Sequence, residues 1–227
     1  MIYQELINNI RDLGFSDDAE MEEFGELVPN NINRAITEIN LEVAPIIERY
    51  EFDLKGDTVD SNGQIVQKGD TGYLYITMPD IDENFLDFAD TPVHYSQSYL
   101  KKEKNDQGVW EEKLIETPLY TRFNDYEIEA NDTIVINVDG LKLANNQTYS
   151  FRVFYKVLHT PFDGSQLDTR LPLPLKVHHL VPLLASYYIW LEDEPTKAAQ
   201  YYNLYEQAKA DLTINAKPRM RVLSGGI

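Results

Sequence analysis

The hydrophobic period of this chain changes twice, and that change limits its architecture more than any single motif. From residue 1 to about 50 apolar side chains recur at helical spacing. From 51 to about 160 they alternate as in strands, and from 171 to 213 the helical spacing returns. Two helical ends interrupted by an alternating middle predict an α+β chain. The expected form is a four-helix bundle, built from an N-terminal pair (1–50) and a C-terminal pair (161–213), with an inserted, mainly antiparallel β-domain at 51–160. Residues 214–227 are expected to leave the last helix as an extended tail.

The C-terminal stretch reads as two helices around an acidic elbow. Leu175 to Leu191 is apolar on most sides, as a centrally packed helix would be. Pro195 follows Asp193 and Glu194, which suits the first turn of a helix. Beyond it Ala198, Tyr201, Tyr202, Tyr205, Ala208 and Leu212 mark one buried face. At the other end, Ile2, Leu6, Ile10 and Leu13 predict a short helix closed by Gly14 in a left-handed cap. After an acidic loop at 16–26, Pro29 opens a second helix with Ile32, Ile36, Ile39, Val43 and Ile46 on one seam. Pro45 ends or kinks it. Ile32, Ile36, Ile39, Val43, Leu180, Leu184, Tyr201 and Tyr205 are the expected bundle core. Asn30, Asn31, Asn33, Arg34, Glu38 and Asn40 make up the polar face of that second helix, which suits either solvent or a subunit contact.

In the middle, residues 63–66, 73–77, 93–99, 110–115, 133–137 and 149–155 read as strands. Asn62-Gly63 signals one turn, and Asn105 to Gly108 a second hairpin. A third hairpin is expected between 133–137 and 149–155, bending at Asn145-Asn146.

Chemistry is sparse. The chain has no cysteine, so thiolate metal sites and disulfides are excluded. His94, His159, His178 and His179 lie in no zinc-binding pattern and suit structural or capping roles better. Asp80 to Asn84 opens like a calcium loop, but Phe85 and Thr91 stand where that pattern needs glycine and glutamate. There is no nucleophile elbow, P-loop or dinucleotide fingerprint, and no cofactor is expected. With 38 acidic and 20 basic residues the net charge is −18, which opposes adhesion to duplex DNA over most of the surface. No apolar run reaches the roughly 18 residues of a membrane span, and the first residues lack the pattern of a secretory signal. Against that acidity the tail stands out: Lys217, Pro218, Arg219, Met220, Arg221, Val222, Leu223 and Ile227 combine positive charge with apolar anchors. Such an extended segment suits docking on a partner.

Taken in order, these features resemble the head-to-tail connector (adaptor) proteins of tailed bacteriophages. The likeness rests on a helix with Asn33-Arg34-Ala35-Ile36-Thr37-Glu38-Ile39-Asn40 and on a strand-rich middle entered near Ile76-Thr77-Met78-Pro79-Asp80. It continues through a Tyr-containing strand that leads to Thr160-Pro161 and a Leu171-Pro172 pair opening the penultimate helix. It ends on Ala198-Ala199-Gln200-Tyr201-Tyr202-Asn203-Leu204-Tyr205-Glu206 in the closing helix. The resemblance implies a non-enzymatic virion protein, assembled in the host cytoplasm and resident in the neck. It implies a homo-oligomeric ring, usually dodecameric, beneath the portal protein, which extends the DNA channel and receives stopper or tail proteins. DNA would then be near without being bound specifically, and no membrane would be involved. The tail from Lys217 becomes the expected portal contact. Two other readings remain: a glycan- or partner-binding β-module of a tail or baseplate using Tyr73, Tyr75, Tyr95 or Tyr99, and, ranked last, an enzyme using buried carboxylates.

Overall fold

The computed structural model describes residues 1–55, 67–68, 73–116, 120–137 and 147–215. The expected strand at 63–66, the Asn62-Gly63 turn, the Asn145-Asn146 bend and the whole docking tail lie outside them. The chain divides into two compact units, one made of Met1–Ile46 with His159–Ile227, the other of Ile47–Leu158.

The first unit is helical: α1 (Tyr3–Gly14), α2 (Asp18–Glu23), α3 (Leu27–Glu42), α4 (Leu180–Trp190) and α5 (Pro195–Asn215), with a 3₁₀ turn at Leu175–Val177. These helices do not form the expected four-helix bundle. Helix α4 is a hub against which α1, α3 and α5 each pack. The cause is in its sequence, LVPLLASYYIW, which is apolar around the whole circumference and can be buried only by neighbours on several sides. Lengths differ as well, 12 residues in α1 against 21 in α5. The acidic stretch at 16–26, expected as a loop, holds α2, whose first turn is capped by Asp17 accepting from the Glu20 amide at 2.9 Å. Segments from the two ends of the sequence meet directly: the Tyr3 and Gln4 amides donate to the Thr169 and Leu167 carbonyls at 3.0 and 2.9 Å, and the Leu171 amide to the Met1 carbonyl at 3.2 Å.

Among its described residues the second unit carries nine strands, a larger β content than an insertion into a bundle implies, and every strand pair described is antiparallel. One sheet runs in the order β1 (Ile47–Lys55), β9 (Gln147–Val157), β4 (Phe85–Lys104), β5 (Trp110–Glu116), with β6 (Thr121–Arg122) also on β4. The other runs β2 (Gln67–Lys68), β3 (Tyr73–Thr77), β8 (Thr133–Asn137), β7 (Tyr126–Glu129). Strands β8 and β9 therefore belong to different sheets, and the third expected hairpin does not form. The β4–β5 hairpin does form, with Gly108 at φ +79° supplying the left-handed residue its turn needs.

Strand β9 shows how sequence sets the faces. Tyr149, Phe151, Val153, Tyr155 and Val157 are buried, while Thr148, Ser150, Arg152, Phe154 and Lys156 alternate onto the other side. Phe151 is wholly buried, stacked on Phe52 at 5.2 Å and meeting Phe123 edge-on at 5.3 Å. Strand β4 shifts register against β9 between Phe88 and Val93. Pro92, which has no amide hydrogen to give the ladder, stands in that shift and suits a bulge. In the other sheet Leu74, Ile76, Ile134 and Ile136 are opposite one another and almost wholly buried.

Candidate functional site

The residues expected to form the helical core come together around α4. Ile32, Ile36, Ile39, Leu180, Leu184 and Tyr205 are completely buried and Tyr201 nearly so, whereas Val43 is half-buried at the C-cap of α3. Two tyrosines do more than fill space. The Tyr201 hydroxyl donates to the Leu13 carbonyl at the end of α1. Tyr188 donates to the Glu38 carboxylate while the Arg34 guanidinium lies 3.8 Å from its ring centroid. Burial, then the bond to Glu38, raises the Tyr188 pKa above the ordinary phenol value. This Arg–Tyr–Glu group locks α3 to α4.

The polar face of α3 is largely an internal fastening surface. Asn33 donates to the Phe162 carbonyl at 2.8 Å and accepts from the Phe162 amide at 2.7 Å. Its Oδ1 also lies 3.3 Å from His159 Nε2. Asn40 is buried and accepts from the Ile46 amide at 2.6 Å, closing the turn after α3. Subunit contact or plain solvent is thus the wrong description for these two side chains, although Asn30 is exposed. Nothing in the local pattern separates an asparagine that will bond a loop more than a hundred residues away from one that meets water.

Two of the histidines, His178 and His159, are built into the packing. His178 Nε2 is 2.7 Å from the Leu173 carbonyl, and its Nδ1 is 3.2 Å from the Met1 amino group. His159 is buried against Asn33, and burial holds its pKa below the usual histidine range. Asp82, inside the imperfect calcium pattern, is occupied otherwise. Its Oδ1 accepts from the Asn84 amide at 2.9 Å and its Oδ2 from the Tyr155 hydroxyl at 3.2 Å. Among the described residues no three His, Cys, Asp or Glu side chains converge on a metal-sized site. No helix among them is long and apolar enough to cross a membrane.

The proposed glycan tyrosines do not share a surface. Tyr73 and Tyr75 alternate onto one face of the second sheet, each 40% exposed. Tyr95 belongs to the first sheet, where it packs on Phe123, Tyr149 and Phe151. The Tyr99 side chain lies outside the described set. A groove of about 450 Å³ that the sequence did not signal runs between α1, the start of α3 and the loop at Phe162–Gly164. Gln4, Asn8 and Arg11 line it on one side, and Met21, Pro29 and Phe162 are among its apolar walls.

Several apolar side chains on the helical unit are left uncovered, among them Leu175 at 80% and Leu41 at 60% exposed, with Leu27 and Leu204 about half exposed. Helix α5 continues to Asn215 and so delivers the chain into the basic tail. The chain matches no protein-family model and no curated protein.

Proposed function

We propose that this protein is a structural head-to-tail adaptor of a tailed bacteriophage, forming a homo-oligomeric ring in the virion neck below the portal. The observation that carries the reading is the construction of the helical unit. It is assembled from both ends of the chain, leaves Leu27, Leu41, Leu175 and Leu204 uncovered, and leads through α5 into the basic, apolar-anchored segment from Lys217. Isolated apolar residues on a surface are ordinary, but a ring contact is heterologous and needs two different faces on each protomer. A hub-centred helical unit with apolar residues on α3, on α5 and before α4 offers such faces. The tail supplies a separate contact to the portal, and stopper or tail proteins engage the completed ring.

In this reading the acidic surplus keeps the ring from adhering to the DNA that passes through it. The protein acts by holding surfaces in register and not by catalysis. The test is binding of the full chain to a cognate portal protein, compared with a chain ending at residue 213. Binding by the full chain and its loss in the shortened one support the proposal. Equal binding by both would remove the tail from its assigned role, and no binding by either would count against the adaptor itself.

A second reading keeps one observation in its favour: Tyr73 and Tyr75 present two rings on one sheet face, as a glycan- or partner-binding β-module would. Saturable glycan binding that disappears in Tyr73→Ala and Tyr75→Ala would favour it. Tyr95→Ala is expected to act through stability alone, because that ring is packed among aromatic neighbours.

A further inference from the structure

The outward face of the first sheet holds a transverse row of charged side chains that the adaptor reading does not use. Strand pairing sets Glu51 of β1 opposite Arg152 of β9, Arg152 opposite His94 of β4, and His94 opposite Arg122 of β6. With strands about 4.8 Å apart, the four residues lie in line on one face. Arg49, two residues before Glu51 on the same strand, shares that face.

The pairing within the row is unbalanced. Glu51 Oε1 takes both Arg152 Nε at 2.7 Å and Arg49 Nε at 3.1 Å. Arg122 is exposed, and while its strand pairs with β4, its side chain makes no ion pair with a carboxylate among the described residues. Asp53, two residues after Glu51, shares the face as Arg49 does, so three guanidinia stand against two carboxylates, a local surplus of one positive charge on a chain whose total is −18. The Arg152 guanidinium is also held in place, 3.5 Å from the ring centroid of Tyr120. His94 stands edge-on to Phe154 at 5.2 Å, and its Nδ1 is buried without a partner. His94 lies between Arg152 and Arg122 on the flanking strands, and burial, then those two charges, hold its pKa below its usual value.

We propose that Arg49, Arg152, His94 and Arg122 form a binding site for a phosphate group. A phosphate offers three oxygens and up to about two negative charges, which suits several donors spread over neighbouring strands. A carboxylate offers two oxygens, and the row already contains one. Arginine forks bind phosphate oxygens in pairs with good directionality. The group can belong to a nucleic-acid backbone or to a small phosphorylated molecule. The site is independent of the neck reading, since it involves none of the residues assigned to ring or portal contact.

The test is an NMR titration of the full chain, following the His94 imidazole, with inorganic phosphate in one arm and a short oligonucleotide in the other. The expected result is a saturable His94 shift, with affinity reduced about tenfold or more in Arg122→Ala, as expected for loss of a charge-assisted contact. Because Arg122 is exposed, this change leaves the fold intact; Arg49→Ala provides a second variant on another strand and is expected to weaken binding as well. Tighter, salt-sensitive binding in the oligonucleotide arm identifies a nucleic-acid source, whereas an oligonucleotide no tighter than phosphate identifies a small one. Absence of saturation in both arms, or equal affinity in wild type and both variants, would overturn the proposal.

Discussion

Gly14 closes α1 where the Trp190 indole presses against its backbone, and a Cβ built there would lie 2.7 Å from Trp190 Nε1. Trp190 is buried and ringed by Phe15 and Phe24 at 5.1 Å, so it cannot swing aside. Gly14→Ala is therefore expected to destabilise the protein by about 1–3 kcal/mol, the cost of forcing extra volume into a packed site, read as a lower urea midpoint. Read locally, Gly14 looked like a left-handed helix terminator. In the structure Phe15 takes the cap in an extended conformation, φ −114°, and the glycine serves a contact 176 positions away, which no local pattern encodes. The opposite correction is available at Ala130, which sits at φ +50° in the β7–β8 turn beside Asn131 at φ +66°. L-residues other than asparagine and glycine are strained there, and Ala130→Asn is expected to stabilise by up to about 1 kcal/mol, visible as a higher Tm. His159 makes a pH prediction. Its folded-state pKa is depressed, so the unfolded chain takes up the proton first as pH falls through about 6.5. Stability should drop between pH 7.5 and 5, and His159→Gln should show a smaller drop over the same interval.

At the scale of elements, sequence was informative wherever local pattern decides structure. The alternation of β9, the short apolar strands β3 and β8, and the Asn105 to Gly108 turn carry their own signals. The uniformly apolar α4 was legible as a central helix for the same reason. Partner choice was not legible. β8 and β9 follow one another in sequence yet join different sheets, and β1 pairs with β9 across about a hundred residues. Helix α2 was hidden because six mostly acidic residues have no apolar stripe. The bundle itself was over-read: an apolar seam on α3 says that a face is buried, and only the all-round apolar surface of α4 says by how many neighbours. The β1–β9 pairing also makes a prediction. Because Ile47 pairs with Lys156, the two ends of the β unit lie side by side, the arrangement that lets a unit be excised. A fragment spanning 47–158 should fold alone, with a strand-type far-ultraviolet spectrum and a cooperative melt. Within it Tyr155, pushed up to about 12 by burial and then by Asp82, favours the folded state below pH 10. That contribution is lost as pH rises from about 10 through 12, and Tyr155→Phe should flatten the alkaline limb of the stability profile.

Over the whole molecule, the tail that drew most attention in the sequence lies outside the described residues, so its role rests on chemistry: positive charge and apolar anchors at the end of a long helix in a strongly acidic chain. The helical unit adds what the tail alone could not, a set of uncovered leucines on elements fastened by Asn33, Asn40, Tyr188 and Tyr201. Those fastenings keep a surface in one shape, which is what repeated contact around a ring requires. The most direct test of the proposed adaptor role is electron microscopy of the neck of a virion assembled with this protein, or of the full chain mixed with a cognate portal protein. A neck ring predicts one closed layer of this protein under the portal, with helical units in contact around the ring and density for 214–227 reaching the portal. A neck without this protein, or a mixture in which the portal carries no added layer, would contradict it.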